Sequence, residues 1–270
     1  MKCLLILAMM MLLSTTKGLP QNPKKAETIE LNGTNIYYEI YGEGEPLFLL
    51  HGFTHTLQSW YPFVSEYAND YEVYLVDLKG HGKSGPFKEK LSLKSAGEDF
   101  AALIRHLKIE SINAIGYSYG GDVLFQLELL NPGLIKSIIV IGTCGSWNAK
   151  EFPDWVELLS YKNVENLPWM REQQLNKEQI KSILEQIPNY NVSLSDIEMK
   201  SIRTKTLFVI GDNDDGTSLE CVESARKNLP DSYLWIVPNI GHRAHMGKNK
   251  DDFIRLSKEF FSTEWTRDKQ

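Results

Sequence analysis

Gly116-Tyr117-Ser118-Tyr119-Gly120 sets a hydroxyl nucleophile between two glycines at G-x-S-x-G spacing. The run Ser-Ile-Asn-Ala-Ile at 111–115 leads into it and an apolar segment from Val123 to Leu130 follows, so the expected order is strand, sharp turn, helix. Such an elbow holds a serine in a strained turn at the carboxyl end of a strand, and its glycines leave room for neighbouring backbone. The same five residues also fit an ordinary strand-to-helix turn, so the rest of the chain must supply the partners.

A serine hydroxyl is a weak nucleophile near neutral pH; it needs a base, and the base needs a group that fixes its tautomer. Of six histidines, His242 lies in Pro238-Asn239-Ile240-Gly241-His242, directly after the last apolar run. The acid is expected after the preceding strand, where residues 205–210 run into Gly211-Asp212-Asn213-Asp214-Asp215-Gly216; Asp214 is the first choice and Asp215 the second. Two backbone N–H groups must face the developing oxyanion, each worth around 3 kcal/mol in comparable sites. Tyr119 supplies one, and the Phe53 amide of His51-Gly52-Phe53 supplies the other. His51 is read as structural, His55 and His245 as edging the site, His81 as part of a glycine turn and His106 as a helix-surface residue. Asp212, Asp214 and Glu223 have calcium-loop spacing, but Gly216 falls where a ligand should stand, and the histidines show no zinc pattern. The expectation is no metal and no cofactor.

The elements that position these groups follow from apolar periodicity. Strand-like runs recur at 27–31, 35–41, 46–50, 71–78, 111–117, 135–142, 205–211 and 233–238. Helical patterns fill 58–68, 95–107, 120–131, 218–228 and 250–261. The first two strands, joined across Asn32-Gly33, are expected to form an antiparallel hairpin at one edge of an eight-stranded, mostly parallel, doubly wound α/β sheet. Between residues 143 and 202 the alternation fails, and short helical patterns carry Trp147, Trp155, Tyr161, Trp169 and Tyr190 among Pro153, Pro168 and Pro188. This predicts a helical cap at 143–202 inserted into a core of 19–142 and 203–270. Individually its aromatics suit the cap's own core; collectively Trp147, Trp155 and Trp169 are candidates to line a substrate pocket.

A chain of 270 residues with net charge −6 and no long basic run offers no electrostatic footprint for nucleic acid or anionic membranes. Lys2, the apolar run Cys3 to Leu13 and the small or polar stretch Ser14 to Gly18 have the layout of a signal peptide over residues 1–18, so a secreted or periplasmic protein is expected. Eleven apolar residues are too few for stable membrane insertion. Cys144 and Cys221 remain after cleavage; in an oxidising compartment they can pair, or they can serve as two small buried hydrophobes, and spacing does not decide.

Together, His51-Gly52-Phe53, the run Asp77 to Ser84, the serine elbow, Gly211 to Asp214 and Gly241-His242 resemble the α/β-hydrolase superfamily over residues 27 to 262. The order nucleophile, acid, base is the family's own. Lys79 departs from the arginine more usual in the D-x-R-G-x-G-x-S turn. With a serine at the elbow, where epoxide- and halide-displacing members generally carry aspartate, the chain resembles the capped, ester-cleaving branch instead. The resemblance therefore implies a small-molecule ester or lactone as partner and an acyl-serine intermediate. Carbon–carbon bond hydrolysis, cofactor-free perhydrolysis and slow-turnover ligand sensing stay open, as does the oligomeric state.

Overall fold

The computed structural model describes residues 22–262 and 265; the signal-peptide reading of 1–18 lies outside the described residues. The strands are β1 (Lys25–Leu31), β2 (Thr34–Tyr41), β3 (Glu45–Leu50), β4 (Tyr71–Asp77), β5 (Ile112–Tyr117), β6 (Ile135–Ile141), β7 (Ser146–Asn148), β8 (Asn191–Ser193), β9 (Lys205–Gly211) and β10 (Ser232–Val237). Eight of them form one sheet in the order β1-β2-β4-β3-β5-β6-β9-β10. Asn32 and Gly33, both at positive φ, make the tight turn of the expected hairpin. Because β2 is antiparallel to both β1 and β4, it alone runs against the other seven strands.

Side chains alternate across the central strands, and both faces are buried. Phe48, Leu50, Ala114, Ile138, Val140 and Phe208 point into one core layer. There they meet helices α2 (Leu93–His106), α3 (Tyr119–Leu130) and α8 (Leu219–Asn228). Leu47, Leu49, Ile115, Ile139, Ile141 and Leu207 point the other way, toward α1 (Tyr61–Tyr67) and α9 (Lys250–Phe261). A strand covered on both sides reads as an unbroken apolar run, which is why these segments stood out in the sequence. Lys79, the departure from the family turn, reaches Asp99 on α2 at 3.8 Å.

The segment between β6 and β9 carries α4 (Pro153–Leu158), α5 (Pro168–Gln173), α6 (Lys177–Leu184) and α7 (Asp196–Ser201). It is not purely helical, since β7 and β8 pair antiparallel within it. Pro153 and Pro168 begin α4 and α5 rather than break them, as expected where the first N–H has no helical partner.

Side-chain amides fasten this insertion to the loops of the sheet. Gln174 donates to the Thr54 and His55 carbonyls at 3.3 Å each and accepts from the Gly82 amide at 2.9 Å. Gln173 accepts from the Thr56 amide, Gln179 donates to the Gly82 carbonyl, and Gln186 accepts from the Leu91 amide. The Trp169 indole N–H donates to Thr54 Oγ1 at 3.1 Å. A disulfide joins Cys144 to Cys221 on α8, with Cα atoms 5.9 Å apart, closing a loop between residues 77 positions apart in sequence. Deep in the seam, Asp122 on α3 accepts from the Thr143 hydroxyl at 2.5 Å and from the Tyr190 hydroxyl of the insertion.

Burial lifts the Asp122 carboxyl from its usual 3.8 to about 6, against the two hydroxyl donors that favour its ionised form. Between those values the folded protein keeps a proton that the unfolded chain has released, so stability falls as pH rises through the window. Asp122→Asn should therefore gain stability relative to the parent as pH rises from 4 to 7, by at most about 3 kcal/mol. Urea unfolding at several pH values measures it, with Asp77, also raised to about 6, contributing equally to both proteins. Replacing Cys144 and Cys221 together by alanine should cost about 2–4 kcal/mol in the same measurement, because the unfolded chain regains a long loop's freedom.

Candidate active site

Ser118 sits between the end of β5 and the start of α3 with φ 50° and ψ −116°, a conformation seldom adopted by a residue with a side chain. Its amide donates to the Ile141 carbonyl on β6 at 2.7 Å, which pins the turn to the neighbouring strand. The flanking glycines are required by contact: a Cβ on Gly116 would lie 2.5 Å from the Gly120 carbonyl carbon, and one on Gly120 would lie 2.5 Å from the Leu50 carbonyl oxygen. Close approach of β3, β5 and α3 thus forces the serine outward. Tyr119 is the first residue of α3, where helical amides lack intrahelical acceptors. Its N–H and that of Phe53 meet no acceptor among the described residues.

The loops after β9 and β10 bring Asp214 and His242 together at the same sheet edge. His242 Nδ1 lies 3.1 and 3.0 Å from the two Asp214 carboxylate oxygens. The carboxylate also accepts from the Gly216 and Thr217 amides at 2.9 and 3.1 Å, and its side chain is 1% exposed. With Nδ1–H donating to the carboxylate, Nε2 keeps its lone pair. Asp215 is exposed and makes no such bond, so the geometry separates the two acids that the sequence left as first and second choice. The His242 ring lies between Tyr117 and Trp155, each 5.3 Å away, and remains 17% exposed.

Ser118 and His242 share two cavities. The larger, of about 230 Å³, is lined by Phe53, His55, Tyr117, Trp155, Leu158, Leu159, Trp169 and Arg243. The smaller, of about 60 Å³, is bounded by Asp122, Thr143, Trp147, Trp155, Ile187 and Tyr190. Each of the three tryptophans singled out in the sequence therefore faces one cavity or both. Trp147 also stacks on Phe152 with ring centres 5.3 Å apart, and Trp169 stacks on His55 at 5.8 Å.

The other buried histidines support the loops as neutral rings. His51 Nδ1–H donates to the Gly52 carbonyl at 2.8 Å while Nε2 accepts from the Leu78 amide at 3.0 Å, which fixes the turn that carries Phe53. Burial depresses His81 to about 4 and His55 to about 3, and holds His51 and His245 well below their ordinary value. His55 does edge the site. His245 does not: it is buried behind Tyr117 among Trp60, Phe63 and Phe253, because the chain turns inward at Ala244 toward α1 and α9. Among the described residues no cluster of histidine, cysteine and acidic side chains is arranged to hold a metal ion.

Asp122 and Arg243 were missed in the sequence although both adjoin named residues. An acid four positions after Ser118, in the first turn of a mostly apolar helix, was the available sign for Asp122; Arg243 showed no sign beyond its place beside His242.

The α/β-hydrolase fold sequence profile matches residues 45–195. A Haemophilus influenzae protein named as a candidate esterase/lipase is 25% identical over 247 residues, covering 80% of this chain and 83% of that protein. The naproxen esterase of Bacillus subtilis superposes with a TM-score of 0.72 at 23% identity, covering 87% of this chain and 91% of that one. The meta-cleavage product hydrolase of Pseudomonas fluorescens superposes with a TM-score of 0.71 at 19% identity, covering 87% and 97%. At such identity the two superpositions speak for the fold alone, while the profile spans more than half of the sequence. The elbow, the sheet order and that profile agree, and the chain belongs to the α/β-hydrolase family.

Proposed function

We propose that the protein is a serine hydrolase that cleaves small to medium carboxylic esters or lactones through an acyl-serine intermediate. The observation that carries this reading is an imidazole held by Asp214 in the same cavity as an outward-forced Ser118. In the proposed first step His242 Nε2 takes the Ser118 hydroxyl proton as Oγ attacks the ester carbonyl carbon. The amides of Phe53 and Tyr119 hold the oxyanion. The tetrahedral intermediate then expels the alcohol, which receives the proton from His242. Water, deprotonated by the same imidazole, attacks the acyl-serine and releases the acid. General acid–base assistance of this kind contributes about 10²- to 10⁴-fold. The reactants in these steps are the ester, one water molecule and the side chains and amides named.

The larger cavity's walls of Tyr117, Trp155, Leu158, Leu159 and Trp169 suit an apolar group, and the smaller cavity, which Ser118 also borders, suits a compact one. The similar Haemophilus protein and the Bacillus enzyme are both named for ester chemistry, in keeping with this choice. Export is part of the proposal: residues 1–18 have the layout of a signal peptide, and the Cys144–Cys221 disulfide is of a kind that persists in oxidising compartments.

Hydrolysis of p-nitrophenyl acyl esters of graded chain length tests the reading. Ser118→Ala should lose at least about 10³-fold in kcat, and a fluorophosphonate should label Ser118 in the parent alone. Asp214→Asn should keep the fold yet lose kcat by on the order of 10³- to 10⁴-fold, because the amide no longer fixes the imidazole tautomer. A parent protein that neither turns over nor takes the label would sink the proposal.

A further inference from the structure

We propose that Arg243 is a specificity determinant that selects substrates whose apolar chain ends in a carboxylate. The inference rests on the serine-hydrolase reading for its reaction, but not for its binding chemistry. Among the residues that line the larger cavity, Arg243 carries the one permanent charge: His242 is the candidate base, and His55 is held neutral by burial. The other walls are aromatic, aliphatic or uncharged polar groups.

Among the described residues no acid is paired with this guanidinium. Arg243 takes part in no ion pair and no side-chain hydrogen bond among the described residues. The nearest acid in the proposed machinery, Asp214, is already satisfied by His242 and by two backbone amides. Arg243 therefore differs from Arg171 and Arg255, each of which has a carboxylate partner on the surface. Its field also reaches the cavity wall: its charge is one of the causes that depress His55 and His245, and it counts among the influences on buried Tyr117.

A nucleophile, an apolar cavity of about 230 Å³ and an unpaired guanidinium at its border define a ligand with a reactive carbonyl, a hydrocarbon middle and an anionic end. A planar guanidinium can take a carboxylate through two parallel N–H donors, which a lysine in the same place cannot do. Since the side chain is exposed, screening by water and salt limits the preference to roughly tenfold, and the preference shrinks as ionic strength rises.

Two measurements on the full protein test this. The first compares kcat/KM for monomethyl adipate and monomethyl suberate with methyl alkanoates of equal chain length, and for alkyl esters with the carboxylate on the alcohol side. One series or the other should favour the carboxylate by about tenfold at low salt, and Arg243→Gln should bring the ratio close to one, whatever happens to absolute rates. Arg243→Lys should restore the preference only in part. The second follows octanoate binding by quenching of tryptophan fluorescence, since Trp155 and Trp169 line the cavity. Arg243→Gln should weaken it at least about fivefold. Equal octanoate affinity in parent and Arg243→Gln, or a carboxylate preference that survives the substitution, overturns the inference. A protein that cleaves no ester and leaves Ser118 unlabelled, yet binds octanoate through Arg243, keeps this inference and ends the serine-hydrolase reading; efficient cleavage of neutral esters with Arg243-independent octanoate binding does the reverse.

Discussion

The backbone of Ser118 is the constraint on which the site depends. A non-glycine residue at φ 50° and ψ −116° costs on the order of 1–3 kcal/mol, and only surroundings that fix every neighbouring atom can maintain it. Those surroundings are the buried centre of the sheet. β5 is hydrogen-bonded on both sides, by β3 and β6, and the Ser118 amide itself is held by Ile141. Gly116 and Gly120 let β3, β5 and α3 come within contact that no Cβ would permit. The strain at one residue is thus offset by burial spread across two core layers.

Parallel strands deliver the remaining groups to the same edge. The loop after β3 carries Phe53, the loop after β9 carries Asp214, and the loop after β10 carries His242. Their neighbours keep these loops in place: His51 bridges Gly52 and Leu78, while Gln174 ties Thr54 and His55 to Gly82. The insertion between β6 and β9 is bound by these amides, by the Trp169–Thr54 hydrogen bond and by the disulfide. Its placement over Ser118 therefore depends on directional polar contacts as well as on apolar burial. Asp122 in the seam, its carboxyl lifted by burial, adds a further tie through the Thr143 and Tyr190 hydroxyls.

The sheet was legible in the sequence because strands such as Leu47–Leu50 and Ile138–Ile141 are buried on both faces and read as unbroken apolar runs. The Asn32-Gly33 hairpin was legible because its turn needs residues that accept positive φ. Ser118, Asp214 and His242 were visible as chemistry at the ends of such runs, and the fold brings the acid and the imidazole into hydrogen-bond contact. Features made by contacts distant in sequence were not visible. β7 and β8 are three residues each, too short to show a period of two, and pair across more than forty residues. The glutamine ties look like ordinary polar helix residues until the loops they meet are in place. Whether Cys144 meets Cys221 depends on α8 lying beside the start of the insertion, which no spacing encodes. His245, expected at the edge of the site, is buried instead beside Trp60, Phe63 and Phe253, next to buried Ala244.

The central claim is that Ser118, His242 and the amides of Phe53 and Tyr119 converge on one reacting carbonyl. A crystal structure of the protein after reaction with an alkyl fluorophosphonate tests it most directly, because the tetrahedral phosphorus stands in for the reacting carbon. The account predicts phosphorus bonded to Ser118 Oγ, one phosphoryl oxygen within hydrogen-bond distance of both amides, and His242 Nε2 facing the serine oxygen or leaving-group position. An adduct on another residue, or a phosphoryl oxygen turned away from Phe53 and Tyr119, would contradict it.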